Sequence, residues 1–212
     1  MNKQQKKEDS EDKKREEKEL RYFLYVIIFI VIIIAFILSI KYIFISKPKI
    51  QSYSYNNFIF KNISGMWYTE IQKQGTNKVY NVPLHFGPLE LRNISINGDV
   101  NSFKNKTNIY ITFDPSGNEF SYIALSASEI SINLAQTFNI TPIAACTTNK
   151  ADACANRPVV DCKTPGPAAI YLRYSNITRV YVENNCIFVE GYREELVKAA
   201  DRLLLKWFSI MP

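Results

Sequence analysis

A continuous apolar stretch near the N-terminus constrains this chain more than any other feature. Residues 22–40 read YFLYVIIFIVIIIAFILSI and contain no charged side chain. As a helix, this stretch would extend over about 28 Å, close to the hydrocarbon thickness of a bilayer. A buried helix of a soluble protein rarely needs an apolar run this long that is polar on no face. The stretch therefore predicts a transmembrane helix, which we assign to residues 22–45.

The residues that follow this stretch separate an uncleaved anchor from a removable signal peptide. A cleavable signal has about 7–15 apolar residues followed by small residues around the cleavage site. Here the apolar stretch is longer, and Lys41-Tyr-Ile-Phe-Ile-Ser-Lys-Pro-Lys49 follows it without such a site. We expect the helix to be retained as a signal anchor.

Positive charges on the two flanks of the stretch predict its orientation. Residues 7–21 carry six lysines and arginines, whereas the opposite flank carries Lys41, Lys47 and Lys49. Because cytoplasmic flanks are enriched in positive charge, the N-terminus is predicted to lie in the cytoplasm. The expected divisions of the single-pass chain are a charged cytoplasmic tail (1–21), the transmembrane helix (22–45), a stalk (46–57) and an extracytoplasmic domain (58–212).

Four cysteines occur, all in the C-terminal part of the chain: Cys146, Cys154, Cys162 and Cys186. Their spacing lacks the close pairs of a zinc motif, and an even number in an exported domain predicts two disulfides. Four cysteines allow three pairings. We favour Cys146–Cys154, which closes a short polar loop, and Cys162–Cys186, because an extended run before Cys162 can lie beside the strand that starts at Cys186.

The formal net charge of +6 does not indicate nucleic-acid binding. Residues 1–21 contribute only +1, and three further charges come from the lysines after the apolar stretch, so residues 50–212 are left near +2. Without a basic stripe, no nucleic-acid partner is predicted. The lysines lie where anionic lipid headgroups attract them, and the predicted partner of this region is the lipid bilayer.

Hydrophobic periodicity predicts an α+β fold for the outer domain. Short aromatic and β-branched runs separated by turn residues predict strands from residue 58 onward. Residues 109–145 read as strand, helix, strand, with Ser126-x-x-Glu129 as a capping box after a strand over 120–125. Apolar residues at helical spacing between Leu196 and Phe208 predict a last helix that Glu194 and Glu195 open and Lys206 closes. The fold class is α+β, with one N-terminal transmembrane helix and an extracytoplasmic mixed-sheet domain that has two packed helices and disulfides.

Few residues point to catalysis. His85 is the only histidine, and its place at a strand end beside a turn fits an ordinary, partly exposed side chain. Glu90, Asp114 and Glu129 are the acidic residues nearest the predicted strand ends, and turn or cap roles explain them. We find no Gly-rich phosphate loop, Cys-x-x-Cys motif or zinc ligand set. No catalytic residue, metal site or cofactor is predicted.

Five Asn-x-Ser/Thr sequons lie on the predicted outer side of the membrane. The candidate glycosylation sites are Asn62, Asn93, Asn105 and Asn176. The fifth, Asn139, follows a predicted helix and precedes a strand, so we interpret it as a helix cap rather than an acceptor.

Five segments of the outer domain can be compared with known sequences: Trp67-Tyr-Thr-Glu70, Ala145-Cys146, Asn185-Cys-Ile-Phe-Val-Glu-Gly191, Glu194-Glu-Leu-Val-Lys-Ala-Ala-Asp-Arg202 and Ile210-Met-Pro212. Together they resemble a family of single-span surface proteins of small-genome archaea that has no assigned activity. The resemblance covers most of residues 58–212 and implies an archaeal envelope.

The sequence indicates binding rather than chemistry. We expect a membrane-anchored extracytoplasmic interaction or accessory domain in cell-surface assembly, with an envelope protein as its partner and no enzymatic activity. The alternative is a surface hydrolase built on acidic residues. A binding domain should present an exposed apolar or aromatic patch, whereas an enzyme should present a deep cleft with convergent carboxylates.

Overall fold

The computed structural model describes residues 5–44, 51–72, 76–117, 119–163 and 166–212, and the remaining residues lie outside this description. The chain forms two compact units, Met1–Lys49 and Ile50–Pro212. The first four residues of the predicted tail and residues 46–50 of the predicted stalk are outside the described residues.

The first unit contains one long helix, α1 (Gln5–Phe44). Its segment Arg21–Ser39 has a mean hydropathy of 3.0, and no residue in the most apolar part of this segment is buried. The prediction of an apolar N-terminal helix is confirmed. The helix begins well before the apolar stretch and includes most of the charged tail.

The second unit contains ten strands and two α-helices in its described residues. The first sheet consists of β1 (Gln51–Tyr55), β2 (Phe58–Ile63), β3 (Met66–Gln72) and β4 (Val79–Leu84). The second consists of β5 (Ser95–Asn97), β6 (Asn108–Phe113), β7 (Thr141–Ala144), β8 (Ala169–Tyr174), β9 (Arg179–Glu183) and β10 (Cys186–Gly191). The helices are α2 (Ser121–Asn133), which continues into a π-helical turn over Leu134–Phe138, and α3 (Glu194–Trp207).

The four-stranded sheet is antiparallel in the order β1-β2-β3-β4. Strand β1 lies in the segment that was predicted to be a stalk, so the folded unit includes residues 51–57. This segment forms a strand because buried and exposed side chains alternate along it: Tyr53 and Tyr55 pack against the core, while Ser52 and Ser54 are exposed. Alternation of this kind is typical of a strand with one buried face.

The six-stranded sheet is mixed and has the order β5-β9-β10-β8-β6-β7. Strands β6 and β7 are parallel neighbours joined through α2, as the predicted strand–helix–strand crossover requires. The predicted strand over 120–125 is wrong, because α2 already begins at Ser121. Ser126 is fully buried and Glu129 nearly so, which places both on the core side of this helix rather than at its cap.

The core lies between the two sheets and is closed by the helices. One buried cluster contains Phe60 and Val82 of the first sheet together with Ile170 and Ile187 of the second. Helix α3 is buried on nearly all sides, from Leu196 to Trp207. The predictions of a mixed sheet and of two packed helices are confirmed.

Two glycines allow close approaches that this packing needs. A Cβ atom at Gly191 would lie 2.5 Å from the backbone of Glu195, so the end of β10 can meet the first turn of α3 only without a side chain. A Cβ atom at Gly87 would lie 2.1 Å from the hydroxyl oxygen of Tyr53. The absence of a side chain at Gly191 lets α3 approach β10, and its absence at Gly87 lets the ring of Tyr53 in the first sheet pack against the backbone.

Both disulfides lie around the loop between β7 and β8. Cys146 pairs with Cys154 and Cys162 pairs with Cys186, which is the pairing favoured from the sequence. The loop is also joined to the sheet by the buried hydroxyl of Thr112, which donates to the carbonyl of Val160 at 2.7 Å. The loop is therefore attached to β6 and β10 rather than free.

Candidate functional site

The two faces of the six-stranded sheet have different chemistry. Side chains alternate along a strand, so residues two apart share a face. The face toward α3 carries aliphatic residues such as Leu172, Val180 and Val189, all essentially buried. The other face carries rings and charges on three adjacent strands. We call it the aromatic–arginine face and define it by Tyr171, Arg173, Arg179, Tyr181, Phe188 and Glu190.

Strand register arranges these six residues in two rows. Phe188 of β10 stands directly opposite Tyr171 of β8 and Tyr181 of β9. The rings of Tyr181 and Phe188 stack with centroids 4.8 Å apart and planes 5° from parallel, and the ring of Tyr171 lies 5.4 Å from that of Phe188. Cross-strand ring pairs of this kind are favourable and hold the side chains in fixed positions.

The second row consists of a buried carboxylate between two arginines. Glu190 stands opposite Arg173 and Arg179 and is fully buried. The Nε atom of Arg179 donates to Glu190 at 2.7 Å, and an Nη atom of Arg173 donates to the other carboxylate oxygen. The hydrogen bond to Glu190 also raises the pKa of Arg179. The carboxylate thus fixes both guanidinium groups.

The arginines also stack on the aromatic row. The guanidinium carbon of Arg179 lies 4.6 Å from the ring centroid of Tyr181, and that of Arg173 lies 5.2 Å from that of Phe188. Both arginine side chains are about 40% exposed, at 38% for Arg179 and 40% for Arg173. Each guanidinium has five N–H donors, and Glu190 uses only part of them. Phe188 is buried, whereas the rings of Tyr171 and Tyr181 are partly exposed. The face therefore presents two tyrosine rings and oriented donors, with one positive charge in excess.

A second polar cluster lies where the first sheet meets the helices. We call it the His85 cluster and define it by His85, Glu129 and Asp201. Glu129 accepts from the backbone N–H of His85 and lies 3.1 Å from its Nδ1 atom. Asp201 of α3 accepts from the backbone N–H of Phe86 at 2.7 Å. Two successive backbone amides after β4 are thus each bound by a carboxylate from a different helix.

Burial and neighbouring groups raise the pKa of two residues of this cluster, Asp201 and His85. Asp201 is fully buried, and burial together with the neighbouring Glu129 raises its pKa well above the ordinary value. The hydrogen bond to Glu129 raises the pKa of His85, whose side chain is 29% exposed. The raised pKa favours a protonated Asp201, which avoids two buried negative charges side by side.

Of the four residues that the sequence singled out, His85 and Glu129 belong to this cluster, whereas Glu90 and Asp114 do not. His85 is partly exposed, as expected, and Glu90 and Asp114 have the expected turn roles: they accept from the N–H of Gly87 and of Ser116. Glu129 is not a cap. Asp201 was missed, although it stands four residues after Val197 and four before Leu205, both buried, so its position on the inner side of α3 was the available signal.

Three cavities of the second unit lie away from the His85 cluster. One of about 660 Å³ lies on the exposed side of the first sheet, beside Tyr68 and Glu70. One of about 470 Å³ lies beside Lys104 and Phe208, and one of about 290 Å³ lies between α2 and β7. In the parts of the chain that the structure describes, none of these three is lined by the carboxylates of the cluster, and no group of His, Cys, Asp or Glu has a metal-binding arrangement.

The sequons differ in exposure. Asn93, Asn105 and Asn176 are exposed, whereas Asn62 is half-buried and its side chain accepts from the N–H of Gly65. Asn139 adopts a left-handed conformation with φ of 56° at the end of the π-helical turn, in the cap position expected for it.

No protein family, curated protein or solved structure matches this chain. The resemblance to archaeal surface proteins therefore rests on its sequence segments alone and stays a prediction.

Proposed function

We propose that this chain is a membrane-anchored interaction protein whose second unit lies outside the cytoplasm and binds an envelope protein through the aromatic–arginine face. The observation that carries the proposal is the pair of rows formed by β8, β9 and β10. They present rings and guanidinium donors that are already held in position, so little side-chain freedom is lost on binding. Aromatic residues and arginine are the residues most enriched at protein interfaces.

The anchor is supported by the first unit. Its apolar helix leaves every described side chain from Arg21 to Ser39 exposed, and lipid is the environment that such a surface fits. Two disulfides and no free cysteine support an oxidising compartment for the second unit. The charge bias of the flanks supports a cytoplasmic N-terminus.

The aromatic–arginine face carries more positive than negative charge, which favours a partner with an acidic group. Two guanidinium groups share the single buried Glu190, and their exposed N–H donors fit carboxylates on an opposing surface. The neighbouring rings fit an apolar side chain. We propose an envelope protein that presents an acidic residue beside an apolar one.

Photocrosslinking in living cells tests this proposal. A photoreactive phenylalanine analogue replaces Tyr181 on the face or, as a control, Val79, which is exposed on the other sheet. We expect Tyr181, but not Val79, to crosslink to one envelope protein, with acidic residues in the crosslinked peptide when it is identified by mass spectrometry. Arg179→Ala should remove the crosslink. Equal crosslinking from both positions, or a product that persists without Arg179, would contradict the proposal.

A surface hydrolase built on acidic residues is the second candidate, and the His85 cluster is the observation that favours it. A histidine hydrogen-bonded to a carboxylate beside a second, protonated carboxyl can serve acid–base chemistry. The burial of Glu129 and Asp201 opposes this function, because a substrate would have to reach them. Hydrolase profiling of the full chain decides between the two: we expect no activity, whereas an activity lost in His85→Ala or Glu90→Gln would establish the enzyme.

A further inference from the structure

The cavity between α2 and the edge of the six-stranded sheet has an almost wholly apolar wall. Its volume is about 290 Å³, near the lower end of the usual range for ligand pockets. Strands β6 and β7 form its floor through Phe113, Pro142 and Ala144, and α2 forms its roof through Ile123 and Ala127. A cavity of this size and lining accepts one large apolar side chain.

One cation stands at this cavity. Arg157, in the loop closed by the disulfides, is the single charged residue of its lining, and it is exposed. Its backbone N–H donates to Cys154, but no described residue forms an ion pair or hydrogen bond with its guanidinium. This differs from Arg173 and Arg179, which Glu190 already neutralises in part. The Arg157 guanidinium is thus available to an anion.

The floor of the cavity ends at a sheet edge that is open only in part. Strand β7 has one strand neighbour, β6, and just beyond its end Cys146 exchanges backbone hydrogen bonds with Pro158 and Val160 on the outer side. The N–H groups of Thr141 and Ala145 donate to Thr107 and Ile111 on that side, so the N–H of Ala144, at an alternate position, points away from the sheet. Pro142 has no N–H. The edge can therefore pair with a short extended segment and not with a long strand.

We propose that this groove binds the C-terminus of an extended peptide whose last residue is apolar. The apolar side chain enters the cavity, the terminal carboxylate pairs with Arg157, and the peptide backbone pairs with Ala144 at the edge of β7. Addition of a peptide to a sheet edge and capture of a terminal carboxylate are established modes of recognition. The site is separate from the aromatic–arginine face, which uses the opposite face of the sheet.

Three features together select this occupant. Only a C-terminal residue carries a carboxylate directly beside its own apolar side chain, and the cavity and Arg157 are directly adjacent. A fatty acid also combines an apolar body with a carboxylate, but it has no amide groups to pair with the edge of β7. The peptide uses all three features, so it fits the groove better than a lipid does.

Fluorescence anisotropy of the full chain in lipid nanodiscs tests the proposal. The probe is the fluorescein-labelled peptide Gly-Ser-Gly-Thr-Val-Phe, prepared with a free C-terminal carboxylate and, separately, with a C-terminal amide. We expect the acid to bind about tenfold more tightly than the amide, a difference of about 1.4 kcal/mol. Arg157→Gln should weaken the acid to the level of the amide. Lys150→Gln, which removes one positive charge from the same exposed loop, should leave both affinities unchanged.

Two further measurements test the cavity and the edge of β7 separately. Ala127→Trp fills the cavity and should abolish binding of both peptides, with the melting temperature as the check that this variant folds. An acid peptide that is N-methylated at its last two residues should lose binding, because the edge of β7 can no longer pair with it. Equal binding of acid and amide, unchanged binding to Arg157→Gln, or binding of decanoate without binding of the peptide would overturn the proposal.

Discussion

The isoleucines of the two units occupy opposite environments. In α1, those between positions 27 and 37 are between 41% and 59% exposed, whereas Ile109, Ile130, Ile170 and Ile187 of the second unit are fully buried. Burial of such a side chain is worth about 1.5–3 kcal/mol. The second unit obtains this energy from its own core. The exposed isoleucines of the first unit can be removed from water only by an apolar environment outside the chain, such as lipid. This difference supports the proposed lipid anchor.

The same substitution in the two units should give the largest contrast. Ile187→Ala removes a fully buried side chain near the start of β10 and should destabilise the second unit by about 4 kcal/mol, because the mutation leaves a cavity in the core. Ile30→Ala, in the exposed surface of α1, should leave the unfolding of the second unit unchanged. Thermal unfolding of the full chain in nanodiscs measures both. A similar loss of stability in the two variants would show that α1 is part of the same folded core.

Removal of the disulfides should have the next largest effect, and only in the second unit. The Cys162–Cys186 link closes the longer loop, with a sequence separation of 24 against 8 for Cys146–Cys154. In the chain-entropy model each is worth about 3 kcal/mol, with the longer loop somewhat more. Denaturant unfolding of Cys162→Ser/Cys186→Ser and of Cys146→Ser/Cys154→Ser measures the two. A greater loss in the second variant would contradict this ranking.

A pH dependence of stability should be the smallest of these effects. The folded state raises the pKa of Asp201 through burial and that of His85 through Glu129. Above the unfolded pKa of each group, the folded state retains a proton that the unfolded state has lost, so stability falls as pH rises. We expect a lower melting temperature at pH ~8 than at pH ~5.

Two variants identify the source of this dependence. Asp201→Asn keeps an acceptor for the N–H of Phe86 but cannot ionise, so it should flatten the decline. Asp114→Asn is the control. Hydrogen bonds from Ser116 lower the pKa of Asp114. The stability that Asp114 contributes is therefore lost only in more acidic solution, and Asp114→Asn should not change the decline between pH ~5 and pH ~8. A steeper decline in Asp201→Asn, or stability that rises with pH in the unmodified chain, would contradict the protonation assigned to this cluster.

Local patterns predicted most of the fold. The apolar run gave α1, the helical spacing of Leu196, Ala200 and Leu203 gave α3, and the strand–helix–strand segment gave the parallel pair β6 and β7. The division into two sheets could not be predicted, because strand order depends on pairings between distant residues. Strand β1 was missed because the serines between its tyrosines look like a linker until their partners in β2 are known.

The candidate sites were less accessible to sequence reasoning. Arg173, Arg179 and Glu190 are 6 to 17 residues apart along the chain and meet only through the registers of three strands. Asp201 lies on α3 beside Arg202, and both side chains are buried. Its spacing from Val197 and Leu205 marks the inner side of the helix, but the groups that it meets there, Glu129 and the N–H of Phe86, come from distant parts of the chain. Sequence reasoning therefore predicted the elements but not which side chains they bring together.

The membrane topology of the full chain shows on which side of the membrane the second unit lies. Protease is added to intact cells that express the chain with an epitope tag at each end. We expect digestion of residues 50–212 and retention of the N-terminal tag, with loss of both tags once the cells are permeabilised. A C-terminal tag that survives in intact cells but is digested after permeabilisation would place the second unit inside the cytoplasm and contradict the proposed anchor orientation.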